Sequence, residues 1–156
     1  LNYLENKGLN VHFILTIEKK DGVNDRKDEI FNNENSGISY IGKQKYFDMP
    51  ELYTNSDIVF MPSVLEVFSS VCTESLYLKK PLVTSDKQFN SDIVGSFCSY
   101  CDPFSVESCA SAIIAASQKV NDEVYLSEGN RFITAKFGKY TNRYQAIMKV
   151  INRIVT

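Results

Sequence analysis

Two short apolar segments separated by a single helical stretch constrain the fold of this chain most strongly. Residues 58–61 and 81–84 are too few for helices and rich in β-branched and aromatic side chains, so they predict buried strands. Between them, a helix is predicted to begin at Ser69 and Ser70, whose hydroxyls can accept hydrogen bonds from first-turn N–H groups. The Lys-Lys-Pro run at 79–81 predicts its end. Strand, helix and strand in this order are typical of a parallel sheet.

The loop between the first strand and this helix is predicted to bind an anion. In open α/β sheets such loops lie at the carboxyl edge of the sheet, where ligands bind, and the helix dipole favours negative charge there. The loop, residues 62–68, carries Glu66, while Glu74 lies about 7 Å along the helix from Ser69 and inclines back toward the loop. Carboxylates accept well from paired hydroxyls. The pattern therefore predicts a ligand with a central phosphate and hydroxyl groups at both ends.

Several motifs in one order resemble an enzyme family. They are Glu66 and Glu74 with seven residues between them, the aromatic Phe68, Met-Pro-Ser at 61–63, Lys-Pro-Leu-Val-Thr-Ser-Asp at 80–86, Asp-Ile-Val-Gly at 92–95 and Tyr-Cys-Asp-Pro at 100–103. Together they resemble the donor-binding half of a retaining glycosyltransferase of the GT-B fold, family 4 (glycosyl transferases group 1) type. The resemblance covers most of the chain from about Val11 onward.

The resemblance implies roles for residues of the loop and the helix. Glu66 would contact the donor sugar and serve as the catalytic residue, and Glu74 would bind the ribose hydroxyls. Backbone amides of Phe68, Ser69 and Ser70 would hold the diphosphate. The family generally works without a bound metal. We therefore expect no metal ion or other cofactor, and the nucleotide-diphosphate sugar is expected as a substrate.

Further assignments rest on the same resemblance. Ser63, at the end of the first strand, belongs to the predicted donor site. Gly42 and Lys43 are candidates for the pocket of the nucleotide base, although an ordinary turn glycine with a surface lysine explains them equally well. Val67 and Ser69 stand where the family commonly has glycine, which lets a backbone approach a ligand closely. We expect Val67 to narrow or reshape the loop, whereas the Ser69 hydroxyl can itself donate to a phosphate.

The implied fold class is α/β, a Rossmann-like doubly wound parallel sheet flanked by helices, as in the C-terminal domain of a GT-B protein. The chain starts at Leu1 without an initiator Met, and residues 1–8 are predicted to be the last turns of a helix closed by Gly8. We therefore expect an excised piece in which residues 1–156 form a single partial nucleotide-sugar-binding domain without its first strand. The N-terminal acceptor domain would be absent, and the fragment alone inactive.

The rest of the hydrophobic pattern predicts the remaining elements. Strands are predicted at 11–17, apolar on both faces as internal parallel strands are, at 38–42 and at 96–100. Helices are predicted at 25–31, from Asp48 with Pro50 in its first turn, at 87–95, from Ser105, at 122–136 and at 140–154. The helix from Ser105 is predicted to pack through Ala110, Ile113, Ile114 and Ser117. An apolar stripe on the last helix is attributed to core packing, with a partner interface as the alternative.

The composition is that of a soluble globular protein. Hydrophobic residues make up 44% of the chain and charged residues 23%, and the formal net charge of −2 gives no sign of nucleic-acid binding. No apolar run approaches the roughly 18 residues of a membrane span, and no signal peptide is apparent. We expect a cytoplasmic protein, with a peripheral contact at the inner face of the membrane left open for the full-length protein.

Four cysteines and one histidine raise the question of a metal or redox site. A zinc site needs about four ligands, yet His12 is predicted inside a strand, and Cys72 and Cys109 inside helices. Cys98 and Cys101 form a Cys-x2-Cys in an apolar stretch that is predicted to be a strand running into a turn. We therefore favour buried free thiols over metal binding or catalysis.

The predicted function is transfer of a hexosyl group from a nucleotide-diphosphate sugar, with UDP or GDP as the nucleotide, to an acceptor hydroxyl with retention. The resemblance implies a role in the synthesis of surface polysaccharide or glycoconjugate. The acceptor, a glycan or lipid-linked sugar, would bind through the missing domain. The alternatives are a non-catalytic nucleotide-binding module of flavodoxin-like topology and a degenerate transferase half serving as a scaffold. The presence of both Glu66 and Glu74 argues against the scaffold.

Overall fold

The computed structural model describes residues 1–18 and 37–138, together with Gln145, Met148, Lys149 and Arg153 of the C-terminal stretch. The chain divides into two compact units, Leu1–Asn55 and Ser56–Thr156. The prediction of a single partial domain over 1–156 stays a prediction.

The first unit contains short elements in the order helix, strand, strand, helix. They are α1 (Asn2–Glu5), β1 (Phe13–Leu15), β2 (Ile38–Tyr40), a single 3-10 turn (Tyr46–Asp48) and α2 (Met49–Thr54). Gly8, at φ +78°, ends the first helical segment, and the Leu9 N–H donates to the Leu4 carbonyl at 3.0 Å. This is the hydrogen bond of a glycine-terminated helix, so the predicted cap at Gly8 is confirmed. The predicted Pro50 in the first turn of α2 is confirmed as well.

The strands β1 and β2 pair in parallel, with Leu15 opposite Tyr40. Both are shorter than predicted. The expectation that β1 is buried on both faces is wrong, because Phe13 and Leu15 are half-buried and Ile14 is 45% exposed. His12 precedes the strand instead of lying within it and is exposed, with its Nε2 2.8 Å from the Ser39 hydroxyl.

The second unit alternates strands and helices. Its elements are β3 (Val59–Met61), α3 (Ser70–Tyr77), β4 (Leu82–Ser85), α4 (Gln88–Val94), β5 (Ser99–Cys101), α5 (Val106–Ser117) and α6 (Glu123–Phe137). The three strands form a parallel sheet in the order β3-β4-β5, in which Met61 lies opposite Thr84 and Ser85 opposite Cys101. The predicted α/β class with parallel strands flanked by helices is confirmed.

The core of the second unit is built around β4, whose four residues are all buried. The faces that pack inward from the helices consist mostly of small and branched side chains, namely Cys72 and Leu76 of α3, Ala110, Ala112, Ile113 and Ala116 of α5, and Leu126 and Ile133 of α6. Of the four predicted packing residues of α5, Ala110 and Ile113 are buried, while Ile114 and Ser117 are half-buried. Burial of apolar area on both sides of β4 is what holds this unit together.

Capping residues fix the helix boundaries in this unit. The Ser105 hydroxyl accepts from the Ser108 N–H at 3.1 Å, as predicted for the start of α5. Gly95, at φ +58°, ends α4 where a glycine was predicted to end it. The strand β5 starts at Ser99 instead of residue 96, because the chain still turns after α4 and the Phe97 N–H donates to the Val94 carbonyl.

Other predictions fall on residues that the structure does not describe. These are the helix at 25–31 and, apart from four helical positions, the helix at 140–154 with its apolar stripe. Among the described helices, none combines the length and the apolar character that crossing a bilayer requires.

Candidate functional site

The predicted site loop connects the carboxyl end of β3 to the start of α3, as expected. Within this loop, residues 62–68, the apolar side chains of Val64, Leu65, Val67 and Phe68 are exposed, and that of Val67 is 100% exposed. Among the described residues, the only non-glycine with positive φ is Lys79, which lies outside this loop. Val67 therefore adopts a backbone conformation that any residue accepts, so a glycine is not required there.

Ser63 and Glu66, both predicted as site residues, are brought together by this loop. The Ser63 hydroxyl lies 3.2 Å from the Leu65 carbonyl oxygen and 3.4 Å from the Glu66 carboxylate. Glu66 itself is exposed, so its second carboxylate oxygen faces solvent or a ligand. The arrangement presents a carboxylate at the sheet edge with one side-chain donor beside it.

Ser69 starts α3, but its hydroxyl does not cap the helix. Ser69 is the N-cap with φ −91° and ψ 106°, and it makes no side-chain cap hydrogen bond. The expectation that this hydroxyl accepts from first-turn amides is wrong, because the buried side chain points to the Met61 sulfur, 3.2 Å away at the end of β3. Ser70, the first helical residue, is exposed, and so is Phe68, whose ring packs edge-to-face on Phe137 at 5.6 Å between centroids.

Glu74 lies one turn into α3 and is half-buried. The rise from Ser70 is about 6 Å at 1.5 Å per residue. Its neighbours Cys72, Ser75 and Leu76 are buried against the sheet. Glu74 therefore lies in the first half of α3, as predicted, and its role at the donor site stays a prediction.

Gly42 and Lys43 follow β2 in the other unit. Gly42 is buried at φ +69°, and a Cβ there would lie 2.5 Å from a carboxylate oxygen of Glu18. The turn is fixed further by the Gln44 side chain, which donates to the Ile41 carbonyl at 2.6 Å. These contacts account for the glycine as a turn residue, while Lys43 is exposed.

A set of fully buried polar side chains lies directly behind the site loop. The Thr84 hydroxyl donates to the Met61 carbonyl at 3.0 Å, and the Ser85 hydroxyl donates to the Ser63 carbonyl. The Asn90 amide nitrogen donates to the carbonyl and hydroxyl oxygens of Ser85 at 3.0 and 2.8 Å. Sequence reasoning missed these three residues, although two adjacent hydroxyls ending an otherwise apolar strand were a visible signal.

The four cysteines are free thiols, as predicted. Cys72 and Cys101 are buried, whereas Cys98 and Cys109 are half-buried, so complete burial holds for only two of them. Burial raises the pKa of the Cys98 thiol from its ordinary value of 9.0 to about 12. Burial also raises the pKa of Cys72, and the nearby Glu66 carboxylate acts in the same direction. Raised pKa values keep these thiols protonated and poorly nucleophilic at neutral pH.

In the part of the chain that the structure describes, no group of three or more His, Cys, Asp or Glu side chains is arranged to hold a metal ion. A separate open cleft lies where β4 and β5 end. It is lined by Asp86, Lys87, Tyr100, Asp102, Phe104 and Ser108, among others. None of the predicted site residues lines this cleft, so it does not coincide with the predicted donor site.

Comparison with known proteins identifies the family. The family described as "Glycosyl transferases group 1" matches residues 5–131, which is most of the chain. No curated protein matches the sequence.

Solved structures share the fold. Anabaena Alr3699/HepE in complex with UDP and glucose matches with a TM-score of 0.66 and 18% sequence identity over 82% of this chain. The same protein in complex with UDP-glucose matches with a TM-score of 0.64 and 19% identity. This chain spans 35% of the length of those chains. At such identities the match shows the fold, which is that of GT-B glycosyltransferases.

The parallel α/β architecture is consistent with the family match over residues 5–131. The chain therefore belongs to the glycosyl transferases group 1 family.

Proposed function

We propose that this chain is the donor-binding half of a retaining, family 4 type glycosyltransferase. It moves a hexosyl group from a nucleotide-diphosphate sugar to an acceptor hydroxyl during synthesis of surface polysaccharide or glycoconjugate. The observation that carries the proposal is the placement of Glu66 in an exposed loop immediately before the start of α3, with the Ser63 hydroxyl beside it. Family membership and the complexes of the HepE fold relative with UDP and UDP-glucose support a nucleotide sugar as donor.

The diphosphate is proposed to bind at the start of α3. Because the Ser69 hydroxyl contacts the Met61 sulfur, it leaves the first-turn amides uncapped by that side chain. Amides at a helix start, together with the helix dipole, favour a phosphate. In this proposal the backbone N–H groups of Phe68, Ser69 and Ser70 stabilise the leaving diphosphate as its negative charge develops.

Glu66 is proposed to act on the sugar. Its exposed carboxylate can accept hydrogen bonds from sugar hydroxyls and stabilise positive charge as the glycosidic bond loosens. Glu74, half-buried one turn into the helix, binds the two ribose hydroxyls in the same proposal.

The base of the nucleotide is proposed to bind near the turn that follows β2. Gly42 and Lys43 are the candidates for this pocket, although the contacts of Gly42 with Glu18 already explain a glycine in that turn. No metal or cofactor is assigned a role. The acceptor is proposed to bind through a part of the full-length protein outside this chain, which acts in the cytoplasm or at the inner membrane face.

The test is turnover by the full-length protein with UDP-, GDP- and ADP-sugars, with the anomeric configuration of the product read by NMR. We expect one donor class to react with retention, and Glu66→Gln to lower kcat by about a hundredfold with a nearly unchanged KM for the donor. Glu128→Gln, at an exposed glutamate of α6, is the matched control and should leave kcat unchanged. Binding of a nucleotide without any turnover would support a scaffold in place of an enzyme.

A further inference from the structure

A series of hydrogen bonds supports the loop that carries Glu66 from the buried side of the protein. The Asn90 amide donates to the Ser85 hydroxyl at 2.8 Å, and that hydroxyl donates to the backbone carbonyl of Ser63. The hydroxyl of the same Ser63 lies 3.4 Å from the Glu66 carboxylate and 3.2 Å from the Leu65 carbonyl, so its one proton is shared between these two acceptors. Four residues from α4, β4 and the loop are thereby linked in series, from the protein interior to the candidate catalytic carboxylate.

The buried part of this series of hydrogen bonds is held in place by the residues around it. Ser85 and Asn90 are both 0% exposed. Each hydrogen-bonding group of the Asn90 amide has a partner, because its nitrogen donates to Ser85 and its oxygen lies 3.6 Å from the Cys72 sulfur. Buried polar groups with complete partners specify one arrangement, since any other would leave a donor or acceptor unpaired.

The Cys72 contact extends the same support to the helix. Cys72 lies in the first turns of α3, fully buried, and its sulfur is 3.9 Å from the Thr84 hydroxyl as well as close to Asn90. Asn90 therefore contacts the helix that follows the loop directly, through Cys72, and reaches the start of the loop through the Ser85 hydroxyl at the end of β4.

We propose that Ser85 and Asn90 are positioning residues of the donor site, which fix the main chain at Ser63 so that Glu66 is held in its working orientation. This inference rests on the proposed function of Glu66. The two residues touch no substrate themselves. They act through the loop, whose own side chains are largely exposed and pack little.

The first experiment measures the order of the loop directly. NMR order parameters of the backbone amides in residues 63–69 are compared between the wild type, Ser85→Ala and Ser75→Ala. Ser75 is the matched control, because it is also 0% exposed and its hydroxyl donates to a carbonyl, that of Lys80, at 3.0 Å. We expect values near 0.85 in the wild type and in Ser75→Ala, and a fall toward about 0.6 in Ser85→Ala. Unchanged order in Ser85→Ala, or a wild-type loop already below about 0.6, would overturn the proposal.

The second experiment measures coupling to catalysis in the full-length protein. Ser85→Ala should lower kcat about tenfold while the donor KM stays nearly constant, and it should cause no further loss in a Glu66→Gln background. A loss that adds to that of Glu66→Gln would indicate a purely structural role and overturn the inference. Ser85→Cys, which keeps the shape of the side chain with a slightly larger and weakly donating group, replaces Ser85→Ala if the alanine variant does not fold.

The two experiments separate this inference from the function it rests on. Full activity of Glu66→Gln, or no turnover by the wild type with any nucleotide sugar, would contradict the proposed function. The order parameters would still decide whether Ser85 positions the loop.

Discussion

The Thr84 hydroxyl lies 3.0 Å from the carbonyl oxygen of Met61, on the neighbouring strand of the parallel sheet. Met61 is the last residue of β3, and the candidate site loop begins immediately after it. The strand end is thus fixed by a side-chain hydrogen bond in addition to the backbone pairing of β3 with β4. The central strand supports the site although none of its residues belongs to it.

Thr84→Val tests this support energetically. Valine keeps the shape of threonine and removes the donor, so we expect the free energy of unfolding to fall by about 1 kcal/mol. Thr54→Val is the matched control, because the Thr54 hydroxyl also donates to a carbonyl, that of Pro50 at 2.7 Å, but in an exposed place. Urea unfolding of both variants measures the difference. Equal losses of unfolding free energy in the two variants would show that the buried hydrogen bond of Thr84 stabilises the protein no more than the exposed one of Thr54.

Gly129→Ala is expected to stabilise the protein. Gly129 lies within α6, and a Cβ there would meet Leu76 and Phe97 at 3.5 Å, which is ordinary van der Waals contact. Alanine in a helix interior is favoured over glycine by about 0.5–1 kcal/mol. Gly95→Ala should destabilise instead, since Gly95 has φ +58°. Urea unfolding of both variants measures whether each substitution raises or lowers the free energy of unfolding. A loss of stability in Gly129→Ala would show that α6 packs more tightly than these contacts indicate.

Much of the fold was predictable because local signals and buried strands coincide in the second unit. The short apolar run leading to Met61 and the Ser105 cap specify elements that need no long-range information. The side-chain direction of Ser69 could not be predicted, because a serine at a helix start satisfies capping rules equally well whether its hydroxyl turns to the amides or to a methionine sulfur. Only the packed neighbour, Met61, decides between them.

The candidate site was predicted in its exposed part and missed in its buried part. Glu66 and Glu74 are recognisable from their spacing, whereas Asn90 contributes through contacts with residues five and eighteen positions away in sequence. A polar residue in a short helix gives no indication of burial by itself. Its role emerges only when the helix is packed against β4 and its amide meets Ser85.

Ser105→Ala should shorten or loosen the start of α5. The Ser105 hydroxyl satisfies the Ser108 N–H, and losing such a cap costs about 1 kcal/mol. Ser111→Ala is the control, because Ser111 is exposed on the same helix and alanine has the higher helix propensity. Denaturant unfolding should show a loss for the first variant and none for the second. No loss in Ser105→Ala would contradict the capping role.

Stability should decrease at alkaline pH. Burial raises the pKa of the Cys98 thiol to about 12 and also raises that of Cys101, both from 9.0. Because the folded pKa lies above the unfolded one, this contribution is complete below about pH 9 and is lost as pH rises toward about 12. Urea unfolding between pH 8 and pH 11, which covers about two units of this window, should show the free energy of unfolding falling above about pH 9. Cys98→Ser should reduce the slope of the free energy of unfolding against pH. An unchanged slope would contradict the raised pKa of the Cys98 thiol.

A calorimetric titration of the full-length protein with UDP, GDP and ADP tests directly whether the start of α3 binds the nucleotide of the donor. We expect saturable binding of one nucleotide, weakened at least about tenfold in Glu74→Gln because the ribose loses a charged hydrogen-bond acceptor. Glu128→Gln, the exposed control, should bind like the wild type. Failure of all three nucleotides to bind, or equal affinity in Glu74→Gln, would contradict a donor site at the start of α3.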